Sequence, residues 1–258
     1  MRFNTLASAV LAGAFALGLG SAQAQDSLRI GVEGAYPPFS EKTESGELIG
    51  FDIDIANALC AEMKVECTLV EQDWDGIIPA LQAKKYDAIV ASMSITEDRK
   101  KVVDFTNKYY NTPAKFAAKD GMFDADGADV LAGKRIGVQR GTIHDDYLTT
   151  VYKDSEIVRY GTQDEVYLDL TAGRLDAILA DSLAIDEGFL KTDAGKGYSF
   201  FGTDHNDPEY FGEGAGIAVR KGEDDLRNKL NDAIATIRSN GTYDEIRKKY
   251  FDFDIYGG

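Results

Sequence analysis

A helix-to-strand segment occurs twice, as Leu81-Gln-Ala-Lys-Lys-Tyr-Asp-Ala-Ile-Val-Ala-Ser92 and as Leu170-Thr-Ala-Gly-Arg-Leu-Asp-Ala-Ile-Leu-Ala-Asp181. Each copy is preceded by the sequence Arg-Ile-Gly-Val, at Arg29–Val32 and at Arg135–Val138. Either match alone could arise by chance, but two matches in the same order indicate two lobes of the same design. Ser92 and Asp181 then occupy equivalent positions at the end of a buried strand.

Strand-like and helix-like segments alternate from Leu28 onward, which is typical of mainly parallel sheets covered by helices, so the predicted class is α/β. The predicted strands are Leu28–Val32, Thr68–Val70, Ala88–Ser92, Lys115–Ala118, Arg135–Val138, Ile157–Arg159, Ala177–Ala180 and Gly216–Val219. The predicted helices are Asp52–Met63, Gly76–Ala83, Thr142–Tyr152, Glu165–Ala172 and Asp224–Arg238.

The N-terminus has the features of a cleavable signal peptide over residues 1–24. Met1-Arg2 provides a positive start, Leu6 to Leu19 is apolar, and Ala22-Gln-Ala24 offers small residues for cleavage. A membrane anchor is less favoured because the apolar run is shorter than the ~20 residues of a spanning helix. We therefore expect an exported protein.

Composition argues against several classes of partner. The formal net charge of −16 repels phosphate and makes a nucleic-acid partner improbable. Cys60 and Cys67 are the only cysteines, and in an exported protein they predict a disulfide. His144 and His205 are the only histidines, so no metal site is expected, and no cofactor motif is visible.

Polar residues follow the predicted strands where a ligand would bind. In open α/β sheets ligands lie beyond the carboxyl ends of the strands. Ser92 and Asp181 stand at such ends, Glu33 and Tyr36 follow the first strand of lobe one, and residues 142–144 follow that of lobe two. Two sheets facing each other in this way would enclose a small cleft.

The run Ser92-Met-Ser-Ile-Thr96, followed by Arg99, can hold a carboxylate, because the planar guanidinium matches its two oxygens. Alternatively, the hydroxyls cap a helix that begins near Glu97, and Arg99 lies on its exposed face. A second anion site is offered by Gly141-Thr142 at a helix start, although many such turns bind nothing.

Asp181 ends an apolar strand, where a carboxylate is costly unless it faces a cation such as an α-ammonium; capping the next helix is the alternative. Tyr36 and Trp74 can sandwich a long or flat side chain, including a guanidinium through cation–π attraction. Trp74 could instead be a partly buried core residue.

The chain resembles the polar amino-acid-binding proteins of bacterial ABC importers, solute-binding family 3, most closely those that bind lysine/arginine/ornithine or histidine. The resemblance rests on motifs across the whole mature chain. They are Gly50-Phe-Asp-Ile-Asp-Ile-Ala56, Ser94-Ile-Thr-Glu-x-Arg99, Gly133-Lys-Arg-Ile-Gly-Val138, Asp169-Leu-Thr-Ala-Gly-Arg-Leu-Asp-Ala177, Tyr250-Phe-Asp-Phe-Asp254 and the two cysteines.

The resemblance implies a two-lobed, type II (Venus-flytrap) fold with two hinge crossings. Lobe one would comprise residues 25–111 and 215–258, and lobe two residues 115–211. It also implies a monomeric periplasmic protein that binds a basic amino acid and delivers it to a membrane permease, without a cofactor.

The resemblance further implies roles for the site residues. Arg99 and Ser94, with N–H groups of the Thr142–Ile143 turn, would hold the α-carboxylate, and Asp181 with Ser92 the α-ammonium. Tyr36 and Trp74 would flank the side chain, and Glu33 would meet its distal positive group. The predicted ligand-binding set is Glu33, Tyr36, Trp74, Ala91, Ser92, Ser94, Arg99, Thr142, Ile143, His144 and Asp181.

Some positions depart from the family pattern. Glu33 stands in place of a shorter aspartate, Trp74 of Leu or Phe, Ala91 of a serine, and His144 of a glutamine, so the side-chain pocket is altered and could admit an arginine-derived opine. The same fold also forms cyclohexadienyl dehydratase-like enzymes, in which Glu33 or His144 could act as general acid. No nucleophile–base pair or phosphate loop supports that alternative.

Overall fold

The computed structural model describes residues 27–257. The predicted signal peptide, residues 1–24, lies outside the described residues. Within residues 27–257, the helices are all too short or too polar to cross a membrane.

The described chain forms thirteen strands and nine α-helices. The strands are β1 (Ser27–Val32), β2 (Ala35–Tyr36), β3 (Ser40–Lys42), β4 (Leu48–Ile49), β5 (Glu66–Glu71), β6 (Ala88–Ile89), β7 (Val103–Tyr110), β8 (Ala114–Lys119), β9 (Arg135–Gln139), β10 (Glu156–Tyr160), β11 (Ala177–Asp181), β12 (Tyr198–His205) and β13 (Ala215–Arg220). The helices are α1 (Phe51–Met63), α2 (Ile77–Gln82), α3 (Glu97–Lys100), α4 (Ile143–Val151), α5 (Gln163–Thr171), α6 (Ser182–Ile185), α7 (Pro208–Phe211), α8 (Asp224–Ser239) and α9 (Thr242–Tyr250).

Two five-stranded sheets have the same layout. Their strand orders are β5-β1-β6-β13-β7 and β10-β9-β11-β8-β12, and the first three strands of each order run parallel to one another. The last two strands of each order are antiparallel to their neighbours. The chain passes to the second sheet between Tyr110 and Ala114 and returns to the first between His205 and Ala215. The predicted α/β class with two sheet-based lobes is confirmed.

The repeated sequences make the same contacts in both sheets. Arg29 donates to Asp87 through its guanidinium at 2.8 Å and its backbone N–H at 3.1 Å. Arg135 and Asp176 form the equivalent contacts at 2.9 and 2.8 Å. Each pair ties the start of one parallel strand to the start of the next, so both sheets begin in a fixed register.

The glycine of each Arg-Ile-Gly-Val sequence is required by a close side chain. A Cβ at Gly31 would lie 2.5 Å from the ring of Tyr86, and a Cβ at Gly137 would lie 2.3 Å from the side chain of Leu175. Real Cβ contacts are never this short, so the position admits only glycine while that side chain stays in place.

Two large apolar cores cover the sheets. In the first, α1, α8 and α9 pack on β1, β6 and β13, around fully buried Phe51 and Tyr109. In the second, α4 packs on β8, β9 and β11, around Phe116 and Leu148. Since α4 begins at the cleft, this packing fixes what its first residues present to the cleft.

Nine elements of the described chain lie outside the predicted strands and helices, namely β2, β3, β4, β7, β12, α3, α6, α7 and α9, and the longest of these are β7, β12 and α9. β7 and β12 are edge strands with mixed burial, and α9 buries only Tyr243, Ile246 and Arg247, so their apolar periodicity is weak. The predicted strand Ala88–Ser92 is too long, because β6 ends at Ile89 and Ser92 adopts a left-handed φ of 51°.

The predicted disulfide is confirmed: Cys60 in α1 is bonded to Cys67 in β5. Because it closes a short loop, replacing both cysteines by serine is expected to lower the free energy of unfolding by about 2.5 kcal/mol. Urea denaturation would measure this loss. Ligand affinity should stay unchanged because neither cysteine lines the cleft. An unchanged urea midpoint would contradict the expectation.

Candidate functional site

Two adjoining cavities lie between the sheets and share the residues Tyr36, Ser92, Ser94, Ile143 and His144. The space inside them, open solvent at their mouths included, is about 320 and 390 Å³.

The structure brings together all the residues predicted from the sequence. The first cavity is lined by Glu33, Tyr36, Trp74, Ala91, Ser92, Ser94, Arg99, Gln139, Thr142, Ile143 and His144. The second adds Tyr110, Asn111, Thr112, Ala114, Asp181, Phe211, Gly214 and Ala215. The predicted roles of these residues remain predictions, but their proximity is a feature of the fold.

Arg99 is the cation of the first cavity. Its guanidinium donates to the carbonyl of Ser94 at 3.0 Å, and its Cζ lies 5.2 Å from the centroid of the Trp74 ring. No carboxylate of residues 27–257 forms an ion pair with it. Burial lowers the pKa of Arg99 to about 10, so the side chain stays protonated at neutral pH. It can therefore receive an anion.

The sequence predicts that the segment around Arg99 either holds a carboxylate or caps a helix with Arg99 on its exposed face. Each interpretation holds in part. The Thr96 hydroxyl does cap α3, accepting from the backbone N–H of Arg99 at 3.3 Å. The guanidinium nevertheless lines the cavity instead of extending from the exposed face of the helix.

The start of α4 faces the same cavity. Thr142 caps the helix by accepting from the N–H of Asp145 at 3.2 Å. The backbone N–H groups of Ile143 and His144 have no hydrogen-bond partner in the described part of the chain. Burial, together with the charge of Arg99, lowers the pKa of His144 to about 3, so the imidazole is neutral. Free N–H groups beside Arg99 form a site suited to a carboxylate.

Asp181 lies in the second cavity and also caps a helix. One oxygen accepts from the N–H of Leu183 at 2.8 Å, at the start of α6, and the other accepts from the hydroxyl of Thr112. Burial raises its pKa to about 6, although the Thr112 hydrogen bond opposes the shift. No Lys or Arg side chain of the described residues pairs with it. Capping and cation binding are thus compatible roles.

Glu33 is a second buried acid, with 6% of its surface exposed. Its carboxylate accepts from Gln139 Nε2 at 2.5 Å, and no cationic side chain of residues 27–257 lies against it. Burial raises the pKa of Glu33 to about 7, while the Gln139 hydrogen bond lowers it. A buried carboxylate with an amide as its only partner is suited to a cationic ligand group.

The remaining predicted residues connect the two sides of the cleft. Trp74 Nε1 donates to the carbonyl of Gly141 at 3.1 Å, and the Tyr36 hydroxyl accepts from the N–H of Asp181 at 3.4 Å. Ala91 contributes a small apolar surface and is 3% exposed. Trp74 is therefore part of the cavity wall and not only of the core.

Three important residues are missing from the predicted set. Gln139 is the last residue of β9, so the strand-end rule alone could have found it. Thr112 lies in the crossing segment, and Asp52 lies in α1 behind Ser92, to which it is hydrogen bonded at 2.9 Å. For these two, no feature of the local sequence indicates the contact.

The cleft places positive and negative groups on different sides and offers no metal site within the described residues. No cluster of His, Cys, Asp and Glu among residues 27–257 could hold a metal ion. One guanidinium and a helix start face two buried carboxylates across a small space. Chemically, such a site can bind a zwitterion that carries an additional positive group.

Comparisons with known proteins give a consistent result. Residues 28–253 match the bacterial extracellular solute-binding proteins, family 3. The chain is similar to the L-arginine-binding protein of Pseudomonas aeruginosa, with 55% identity over 252 residues, 96% of this chain and 97% of the relative. It is 41% identical over 259 residues to the lysine/arginine/ornithine-binding periplasmic protein of Escherichia coli K12, with both chains fully covered.

Among solved structures, it resembles an ancestral arginine-binding protein bound to arginine. The TM-score is 0.81 and the identity 37%, over 88% of this chain and 99% of the other.

Proposed function

The chain belongs to family 3 of the bacterial extracellular solute-binding proteins, and on that premise we propose that it captures a basic amino acid, preferentially L-arginine, for an ABC importer. The observation that carries the proposal is the charge layout of the cleft. Arg99 lacks an ion-pair partner in the described chain, and so do the buried acids Glu33 and Asp181. A basic amino acid supplies the one negative and two positive groups that they require.

The ligand head group fits the end of the cleft near Arg99. Its α-carboxylate would bind the Arg99 guanidinium, the Ser94 hydroxyl and the N–H groups of the Thr142–Ile143 turn. Its α-ammonium would bind Asp181 and Ser92. The ligand thereby contacts both lobes at once, and this differential contact is what can favour closure.

The side-chain end favours a guanidinium. Gln139 uses one amide N–H on Glu33 and the other on the carbonyl of Gly161 at 3.2 Å, so its own carbonyl oxygen remains an acceptor. Glu33 and Gln139 together then offer several acceptors to the five N–H donors of a guanidinium. A lysine ammonium has only three N–H donors, so it leaves more of these acceptor oxygens without a hydrogen bond. Tyr36 and Trp74 would flank the aliphatic part.

The proposed mechanism is lobe closure. In the described chain, residues 27–111 with 215–257 would form one lobe and residues 115–211 the other, and the crossings at 111–114 and 211–215 would serve as hinges. The closed protein, a monomer in the periplasm, would present both lobes to a membrane permease. The Trp74–Gly141 and Tyr36–Asp181 contacts across the cleft support this arrangement.

A thermal-shift panel tests the proposed ligand class. L-arginine is expected to raise the melting temperature most, followed by lysine and ornithine, with smaller shifts for histidine, glutamine and leucine. An arginine opine and prephenate belong in the same panel. A larger shift with a neutral amino acid than with L-arginine would contradict the proposal. Turnover of prephenate, measured separately by incubating it with the protein, would also contradict it.

The affinity for L-arginine is expected to fall as the pH is lowered. The pKa of Glu33 is about 7 and that of Asp181 about 6, both raised by burial. A cationic ligand binds only the ionised carboxylates, so binding releases protons below these pKa values. Between pH 8 and pH 6 the dissociation constant should rise about tenfold from Glu33 alone. Calorimetry in buffers of different ionisation enthalpy measures both effects; a pH-independent affinity would argue against Glu33 as a contact.

A further inference from the structure

Asp52 forms a buried hydrogen-bond network behind the cleft. It is the second residue of α1 and is fully buried. Its carboxylate accepts from the Ser92 hydroxyl at 2.9 Å and from the Tyr109 hydroxyl at 2.8 Å. The Tyr109 oxygen in turn accepts from the backbone N–H of Ser92 at 3.2 Å. Both polar hydrogens of Ser92 are therefore used within this network.

An ionised carboxylate at this buried position is unfavourable for the free energy of folding, because no cation of the described chain compensates its charge. No Lys or Arg of residues 27–257 pairs with Asp52, and burial raises its pKa to about 7, against hydrogen bonds from the Tyr109 hydroxyl and from the hydroxyl and backbone N–H of Ser92, which lower it. Asp52 lines neither cavity, so it is not placed to touch a ligand. Its neighbour Ser92 lines both cavities and holds a left-handed φ of 51°. Any effect of Asp52 on binding must pass through Ser92 or through its charge.

We propose that Asp52 is a positioning residue that makes the Ser92 hydroxyl a hydrogen-bond acceptor only, and so selects ligands with an α-ammonium over those with an α-hydroxyl. This inference rests on the proposed function and adds a residue that acts from outside the cavity.

The preference for an α-ammonium over an α-hydroxyl follows from the number of hydrogen-bond donors on each ligand group. A serine hydroxyl has one hydrogen and two lone pairs. While Asp52 is ionised, that hydrogen points to Asp52, so the lone pairs face the cavity, which the Tyr110 hydroxyl also lines. An α-ammonium has three N–H donors and no lone pair, which suits a site made of acceptors. An α-hydroxyl has a single donor, so it cannot satisfy both Ser92 and Asp181.

The two lobes then use one principle at equivalent positions of the repeated segment. In lobe two, this position is the last residue of β11 and is itself a carboxylate, Asp181. In lobe one, it is Ser92, three residues beyond the end of β6, and the carboxylate of Asp52 lies one layer behind it. Both positions present oxygen acceptors to the same ligand group.

The test compares two ligands and four proteins by calorimetry. The ligands are L-arginine and its α-hydroxy analogue, 5-guanidino-2-hydroxypentanoate; the proteins are wild type, Asp52→Asn, Ser92→Ala and the double variant. Asp52→Asn should weaken L-arginine binding about thirtyfold, as for a hydrogen bond that involves a charge. In this variant the side-chain oxygen at position 52 can keep the hydrogen bond from Tyr109, which turns the new amide NH2 group toward Ser92 and releases the Ser92 hydrogen. Binding of the analogue should then change less than about threefold, because its hydroxyl can accept a hydrogen bond from the released Ser92 hydroxyl.

Ser92→Ala keeps Asp52 and should also lower the preference for L-arginine about tenfold, which tests the inference even if Asp52→Asn folds poorly. In the Ser92→Ala background, Asp52→Asn should weaken L-arginine binding less than about threefold, because the two residues act as one unit. Three results would overturn the positioning role alone. The first is an equal loss of affinity for both ligands in Asp52→Asn, and the second is an unchanged preference for L-arginine over the analogue in Ser92→Ala. The third is an Asp52→Asn loss of L-arginine affinity that is as large in the double variant as in wild type. A wild-type protein that binds no basic amino acid would overturn the proposed function and this inference with it.

Discussion

Replacing Arg99 by alanine is expected to weaken L-arginine binding at least about a hundredfold, because truncating one partner of a buried charge pair costs roughly 2–5 kcal/mol. The guanidinium lines the first cavity and has no carboxylate partner in the described chain, so the ligand carboxylate would lose its main charged contact. Isothermal titration calorimetry measures the loss. An affinity within about threefold of wild type would refute the carboxylate clamp.

Arg174→Ala is the matched control for this change. Arg174 carries an exposed guanidinium that forms an ion pair with Asp169 within the same lobe, and it lines neither cavity. Exposed pairs contribute about 0–1 kcal/mol, so the affinity should fall less than about fivefold. Arg99→Ala should lower the unfolding midpoint only slightly, because it removes the hydrogen bond to Ser94 and the Trp74 contact but breaks no ion pair within residues 27–257. A joint loss of stability and binding would indicate general damage.

Replacing Glu33 by glutamine is expected to abolish most of the preference for a cationic side chain. At pH 8 the affinity for L-arginine should fall about a hundredfold, as for other buried charge pairs that lose one partner. The affinity for L-citrulline, the uncharged analogue of similar shape, should change little. The ratio of the two dissociation constants, measured by calorimetry, isolates the charge of Glu33 from its size.

The same variant should be more stable than wild type at pH 8. The pKa of Glu33 rises from 4.5 to about 7 on folding, chiefly because of burial. A raised carboxyl pKa means that the ionised form destabilises the native state above pH 7, by at most about 3 kcal/mol, and that this penalty disappears as the pH falls to 4.5. Urea denaturation at pH 8 and pH 4.5 measures the difference.

Glu71→Gln is the control, because Glu71 is an exposed partner of Lys42 at 2.5 Å and lines neither cavity. It should change neither the ligand preference nor the pH dependence of stability. An arginine-to-citrulline ratio that Glu33→Gln leaves unchanged would contradict the proposed contact. Gain of stability with loss of binding is the trade-off expected where a charged group is kept buried for function.

The sequence allows the sheets and the cavity wall to be predicted because both follow from local rules. The repeated segments place Ser92 and Asp181 at equivalent positions, Asp181 at the end of β11 and Ser92 three residues beyond the end of β6, and the strand-end rule brings Glu33 and Tyr36 to the same edge. Apolar periodicity then identifies the buried strands. It fails for β7 and β12, whose edge positions leave their residues only partly buried.

The residues that sequence reasoning misses depend on contacts between distant segments. Thr112 matters because it donates to Asp181. The strand-end rule could have found the position of Gln139, at the end of β9, but not the contact of its amide with Glu33. Asp52 is recognisable within a family motif, but its partners Ser92 and Tyr109 lie 40 and 57 residues away in the chain. Only the packing of α1 against the sheet brings these groups together.

The position of β13 links the maturation of the first lobe to the order in which the chain emerges. This strand lies in the interior of the first sheet, between β6 and β7, although it follows every strand of the second sheet in the chain. In the proposed periplasmic protein, the chain crosses the membrane N-terminus first, so every strand of the second sheet is present once His205 has emerged. The first sheet has a gap between two of its strands until Ala215–Arg220 emerges, so its long-range pairing forms late. The cleft, which needs both lobes, is therefore assembled only after Arg220 has emerged.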